Sequence, residues 1–299
     1  MQTTEEKPTE TQRPTPTLAW VLLFVLALVW GSSFILIKHS LVTFSPIQVA
    51  TGRIAFAFLF FLPYLLLRIR EFPQRQAVAL LSSGLIGYLI PAYFFATGGA
   101  HLSSSLAGAL NSLSPLFTLL MGAFFFGRPL RSRQVIGVLL GVTGSLFLVF
   151  MSTTGRFSVN GYALMLVAAT VCYGLNINLV SRKLSGLPAL VSTTWMFGLV
   201  GPIALTGLLL TDFPTRAMAP QAFPSLLMLM LLGILGSGLM TILFNRVIQL
   251  ASPVFASSVT YLMPLIALFW GLVDGEPLYW PQLAGMAICL VGVYLINRN

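Results

Sequence analysis

The first 17 positions of the chain are polar; from Leu18 onward it is almost continuously apolar, broken about every 20 residues by short clusters of charge, proline and glycine. About 20 consecutive apolar residues are what an α-helix needs to cross a bilayer. Splitting the chain at those clusters predicts ten helices, over 18–39, 46–67, 77–99, 103–126, 133–151, 159–181, 188–211, 222–245, 253–273 and 281–297. The expected fold class is an all-α membrane protein with ten transmembrane helices, and an even number of crossings returns both termini to one side. The opening stretch 1–17, MQTTEEKPTETQRPTPT, has three glutamates and three prolines and too little apolar surface to fold, so a disordered tail is expected there. The apolar run behind it is long enough to span and lacks a small-residue cleavage pattern, so the first helix is expected to stay.

Composition agrees. Hydrophobic residues make up 57% of the 299 and charged residues 8%, against about 25% charged in a soluble domain. Ten crossings consume roughly 200 residues, which leaves no room for a large domain outside the membrane. The 16 basic and 7 acidic residues give a net charge of +9, which in a soluble protein would suggest a nucleic-acid partner. Here topology explains it, because Lys and Arg in short loops stay cytoplasmic. Lys7, Arg13, Arg68, Arg70, Arg75, Arg128, Arg131, Arg133, Arg182, Lys183, Arg246 and Arg298 fall on the side of the termini, only Lys38, Arg156 and Arg216 on the other, and Arg53 lies inside a span. Both termini are predicted cytoplasmic, and the expected partners are the lipid bilayer and a small-molecule cargo, with no nucleic acid. Cys172 and Cys289 sit in apolar runs without ligand spacing, so no metal, cofactor or disulfide framework is expected.

The chain also repeats itself. GRPLRSRQVIGVLLGVTG at 127–144 and GEPLYWPQLAGMAICLVG at 275–292 share G-x-P-L-x3-Q-x2-G-x6-G at an offset of 148. Pro115 and Pro264 correspond at offset 149, as do Gly84 and Gly87 with Gly233 and Gly236; Trp30-Gly31 matches Tyr173-Gly174 at offset 143. Two five-helix units are expected, 18–151 and 157–299. Five is odd, so the second enters the membrane from the opposite face, and inverted repeats of this kind characterise many secondary transporters with a site near the midplane.

WGSSF at 30–34, SPIQVATGR at 45–53, LNSLSPLFTLLMGAFFFGRPL at 110–130 and LMPLIALFWGLVDGEPL at 262–278 resemble the EamA family of the drug/metabolite transporter superfamily, over nearly the whole chain after the tail. The resemblance implies a multi-pass permease of the bacterial-type inner (plasma) membrane, often an exporter of amino acids or related metabolites. The aromatic-rich interior is most similar to the aromatic amino-acid exporter subgroup. It also implies a central cavity framed by helices 1, 3, 4, 6, 8 and 9. Arg128 departs from the family's usual glutamate, which the second copy keeps as Glu276.

Candidate site residues follow from the repeat and from polarity at depth. Proline inside a helix frees the carbonyl four residues earlier, so Pro115 releases that of Asn111 and Pro264 that of Thr260, at matching places near mid-membrane. Such breaks point to the binding site in this architecture; a simple kink repaired by Ser112 or Ser114 is the alternative. Trp30, Tyr88, Tyr93, Asn111, Tyr173, Asn176, Ser258, Thr260 and Tyr261 are the candidate substrate contacts, the rings by stacking on an apolar or aromatic cargo and the amides because they need a partner in hydrocarbon. Asn178 and Asn245 read as interhelical hydrogen bonds. Arg53, the only basic residue well inside a span, is a candidate contact for a substrate carboxylate, with an outward-snorkelling structural arginine as the alternative. His39 and His101 read as solvated helix-end residues.

No Asp or Glu falls inside a span, which disfavours a carboxylate proton relay or an organic-cation site. A phosphorylated cargo needs several central cations, and there is one. The cargo is expected to be net neutral, which fits zwitterionic amino acids with apolar or aromatic side chains; the alternative is a drug/metabolite exporter of other small neutral or cationic compounds, possibly proton-coupled. An enzyme is disfavoured by the absence of a G-x-S-x-G elbow or paired acids, and a channel by the absence of charged rings or a carbonyl filter. Two complete copies in one chain permit a functional monomer.

Overall fold

The computed structural model describes residues 17–127, 132–150, 160–251 and 253–297, and every regular element among them is helical. In chain order the long helices are α1 (Thr17–Ser40), α2 (Pro46–Leu67), α3 (Gln74–Gly99), α4 (Ser104–Phe126), α5 (Ser132–Phe150), α6 (Gly161–Leu184), α7 (Ala189–Leu209), α8 (Phe223–Leu250), α9 (Phe255–Val273) and α10 (Trp280–Asn297). Over the described residues, all of these except α5 and α10 are long and apolar enough to cross a membrane, which makes eight candidate spans. In each of the eight, between 39% and 61% of the apolar stretch is buried in the bundle. The remaining face is outward and apolar, with Trp20, Phe24, Leu67, Phe124 and Leu272 exposed, as a lipid-facing surface requires.

Local chemistry sets the helix ends. Pro46 opens α2 behind a capping box in which the Ser45 hydroxyl accepts the Gln48 N–H and the Gln48 side chain accepts the Ser45 N–H at 2.9 Å. Ser103 caps α4, and the Asn160 side chain accepts two N–H groups at the start of α6. Gly127 and Gly275, the first glycines of the repeated G-x-P-L motif, follow α4 and α9 with φ of +65° and +73°. A side chain in that left-handed region costs about 1–2 kcal/mol. The largest shift from the predicted boundaries is at the end of α8, which runs to Leu250 because the polar residues of its last turns find partners. Asn245 donates to the Thr193 hydroxyl at 3.0 Å and Gln249 to the Leu187 carbonyl at 2.8 Å.

α5 and α10 form the most extensive helix pair. Their glycines bring the backbones together: a Cβ added at Gly292 would stand 2.6 Å from the Gly141 nitrogen. α2 packs along α7, and α4 along α6. There the Asn178 amide donates to the carbonyls of Thr118 and Gly174, both at 2.8 Å, an interhelical bond of the kind expected for it.

Four helices are irregular at places related by the sequence repeat. α3 widens to a π turn over Leu85–Leu89 and α8 over Leu232–Leu239. Adding the 149-residue offset to 85–89 gives 234–238, inside the second π turn. α4 is interrupted at Ser112 and Leu113, and α9 by a 3-10 stretch, Ser258–Tyr261, and Leu262. Pro115 and Pro264 are each the second residue of the helix that resumes. The carbonyl freed by Pro115 is taken up locally, since the Ser114 hydroxyl donates to the Asn111 carbonyl at 2.8 Å.

Candidate functional site

The irregular segments converge on a central cavity enclosing about 870 Å³ of empty space, open solvent at its mouth included. It is lined from α1, α2, α3, α4, α6, α8 and α9; α2 joins the six helices expected to frame it, through Arg53 and Ile54. Of the residues singled out in the sequence, Trp30, Tyr88, Asn111, Tyr173, Asn176 and Thr260 line the cavity together with Arg53. Tyr93 and Tyr261 are not among the lining residues, and Tyr93 is 41% exposed. Ser258 has its backbone in the 3-10 stretch, and its side chain lies outside the described residues. Pro115 and Pro264 are buried behind the wall they shape.

The π turn of α8 anchors two of these side chains. The Trp30 indole N–H donates to the Gly236 carbonyl at 2.7 Å, and the Arg53 Nε–H donates to the Ser237 hydroxyl at 2.9 Å. Both acceptors belong to residues that line the cavity, and the Ser237 hydroxyl in turn donates to the Leu232 carbonyl. On the opposite wall the π turn of α3 presents Gly87 and Tyr88. A Cβ at Gly87 would overlap the Asn176 amide, and the Ser83 hydroxyl donates to Asn176 Oδ1 at 2.5 Å. Trp30 packs on Phe244 with ring centroids 5.0 Å apart, and Tyr173 stacks on Phe95 at 5.9 Å and 18°. The walls are thus mainly aromatic and aliphatic, with a few amides and hydroxyls and one cation.

Lining residues fall in pairs related by the repeat offsets. Trp30, Ser33 and Phe34 match Tyr173, Asn176 and Ile177 at 143; Gly87, Tyr88, Phe95, Asn111 and Ser114 match Gly236, Ser237, Phe244, Thr260 and Met263 at 149. The sequence therefore held a signal for the positions that reading by polarity alone missed. Applying the offsets to residues already chosen yields Ser33 from Asn176 and Gly236's neighbour Ser237 from Tyr88. Phe95 and Phe244 then follow as equivalent aromatic positions.

The end of the bundle bearing the 41–45, 100–103 and 274–279 connections is closed by a polar network. Lys38 reaches Asp274 at 2.5 Å and Glu276 at 2.9 Å. Glu276 is buried, and it accepts the N–H groups of Ser104 and Ser105 at 2.9 and 3.2 Å, at the start of α4. Burial alone raises a carboxyl's pKa, but these N–H groups and the Lys38 ammonium outweigh it and hold Glu276 below the ordinary range. The Ser225 hydroxyl donates to the His39 carbonyl, and the Gln48 amide to Asp212, so α1 is tied to α8, and α2 to the α7–α8 connection, at the same end. His39 faces Asp274 at 3.4 Å, and His101 stacks on Tyr162. Arg128, which departs from the resemblance, lies outside the described residues.

The model of the EamA-like transporter family matches this chain twice in tandem, over residues 17–150 and 160–298. The chain belongs to the EamA-like transporter family. This EamA-like protein is 25% identical to an uncharacterized transporter of Archaeoglobus fulgidus over 94% of this chain and 99% of that one. It is 28% identical to a probable amino-acid metabolite efflux pump of Salmonella typhimurium, covering 92% of this chain and 93% of the relative. A solved crystal structure aligns with a TM-score of 0.63 at 20% identity, over 93% of this chain and 95% of its own, a likeness of fold. Family membership makes this EamA-like chain a membrane transporter embedded in a lipid bilayer.

Proposed function

We propose that the protein exports neutral amino acids, aromatic and large apolar ones foremost, across the bacterial-type inner membrane. In this reading ten helices form two inverted five-helix copies, 18–151 and 157–299, that alternate access to the central cavity, with both termini cytoplasmic. Trp30, Tyr88, Asn111, Tyr173, Asn176 and Thr260 contact the cargo. The observation that carries the reading is the cavity itself, walled by equivalent positions of the two tandem family matches. A site at the interface of inverted copies is what alternating access requires.

Aromatic walls with few polar groups favour a cargo with an apolar or aromatic body, and the efflux-pump name of the Salmonella relative supports amino acids. The four described carboxylates, Glu71, Asp212, Asp274 and Glu276, all sit outside the candidate spans, which weighs against a cationic cargo and a buried proton relay. The twelve-to-three bias of basic residues supports cytoplasmic termini. The test is counterflow in proteoliposomes loaded in turn with unlabelled neutral, aromatic, cationic and phosphorylated compounds. Exchange of labelled phenylalanine or leucine without an imposed pH gradient is the expected result. Exchange confined to cations, or to sugar phosphates, would overturn the proposal.

A further inference from the structure

Arg53 stands outside the pairing that organises the cavity. Aligned on Pro46 and Pro188, at the starts of α2 and α7, it corresponds to Trp195, a buried aromatic side chain. The cavity therefore carries a positive charge on one side with no counterpart on the other. Among the described residues, the one hydrogen bond of the guanidinium is from Nε to Ser237, and it forms no ion pair. Every described carboxylate is engaged elsewhere: Glu71 with Arg68, Asp212 with Arg216 and Gln48, and Asp274 and Glu276 with Lys38. A guanidinium has five N–H donors, so four remain on the Nη atoms, at the wall of an otherwise uncharged pocket.

We infer that this site recognises the carboxylate of its cargo through Arg53, and that it binds monoanionic carboxylates with an aromatic or large apolar body more tightly than the corresponding zwitterionic amino acids. The inference rests on the transport reading above and extends its substrate class from zwitterionic amino acids to monoanionic carboxylates with the same body. A monoanion on Arg53 leaves the loaded cavity neutral, with paired N–H···O bonds of matched geometry. A zwitterion leaves it with a net positive charge and adds an ammonium group. For that ammonium the lining supplies no anionic group, only neutral partners: ring faces, a backbone carbonyl, and amide and hydroxyl oxygens such as those of Asn111, Ser114 and Thr260. A buried charge without a countercharge is costly, so the amino group detracts from binding here. The rings of Trp30, Phe244, Tyr88 and Tyr173 suit the same apolar body in either compound.

The probes are 3-phenylpropionate, phenylalanine and phenethylamine, which share a body and differ in the charged groups they carry. Equilibrium binding of each, labelled, to the full-length protein in detergent at mildly alkaline pH gives the ranking. The expected result is 3-phenylpropionate at least about tenfold tighter than phenylalanine and no saturable binding of phenethylamine. Arg53→Gln should weaken 3-phenylpropionate by about 10- to 100-fold and abolish its advantage, whereas Arg53→Lys keeps the preference for the anion at lower affinity because the fork is lost. The ranking on the unaltered chain decides the matter even if Arg53→Gln does not fold. Phenylalanine binding as tightly as the anion would overturn the inference and leave the amino-acid reading standing, as would an anion preference that survives Arg53→Gln. Tightest binding of phenethylamine, or saturable binding of none of the three, would overturn both.

Discussion

Glu276 does its work as a single side chain. It bridges Lys38 of α1 and the N–H groups that open α4, so one carboxylate joins the two tandem halves at the closed end of the bundle. Its pKa is held below the ordinary range, so the stabilisation it brings is present above the unfolded glutamate value of about 4.3 and is lost as pH falls through the folded value. Glu276→Gln should lower stability by about 1–3 kcal/mol at neutral pH and flatten the acid side of the profile. Thermal unfolding in detergent between neutral and acidic pH measures this, and an unchanged acid slope would remove Glu276 from that role. The sequence put Glu276 outside the spans and marked it against Arg128, but its partners lie 172 and 238 residues away in sequence. Trp30 was legible as a ring at mid-span. That its N–H is committed to Gly236 depends on where α8 widens, which no local pattern around Trp30 reveals.

At the scale of elements, the repeated motif explains two helix ends in the same way. Gly127 and Gly275 have positive φ and open space around the missing side chain, so backbone strain alone opposes a substitution there. Gly127→Ala and Gly275→Ala should each cost about 1–2 kcal/mol. Gly161→Ala, at the first position of α6 with equally open space and no positive φ, should be neutral or stabilising by up to about 1 kcal/mol. Melting temperatures of the three variants test this, and equal effects would mean that the left-handed conformation is not what the motif glycines supply. Helix extents were legible because a lipid-facing helix has to be apolar over its whole crossing. The π turns of α3 and α8 were not, since the paired glycines within them, Gly87 and Gly236, signal close helix approach as readily as a widened turn. Pro115 marked the break in α4 on sight, but only the structure shows Ser114 closing the freed carbonyl rather than leaving it to the cavity.

For the whole molecule, orientation is the property that charge alone predicts. A cysteine placed in the 68–76 connection, in a background with Cys172 and Cys289 replaced by alanine, should resist an impermeant thiol reagent added outside intact cells and react once the membrane is permeabilised. Labelling from outside would reverse the topology and with it the argument from basic residues. The sequence by itself determined the solvent: 57% hydrophobic residues in helix-length runs admit only a bilayer, and the offsets of 143 to 149 disclosed the duplication. Those are properties of composition and spacing, and any fold of this chain has to respect them. Which polar residues meet was settled by the tertiary structure, which gathered Trp30, Tyr88, Asn111, Tyr173, Asn176 and Thr260 around one cavity and left Tyr93 outside it. It also paired every described carboxylate away from Arg53. The physical reason is that hydropathy fixes how deep a residue sits, whereas the direction its side chain faces depends on close helix approach, π turns and proline breaks acting together.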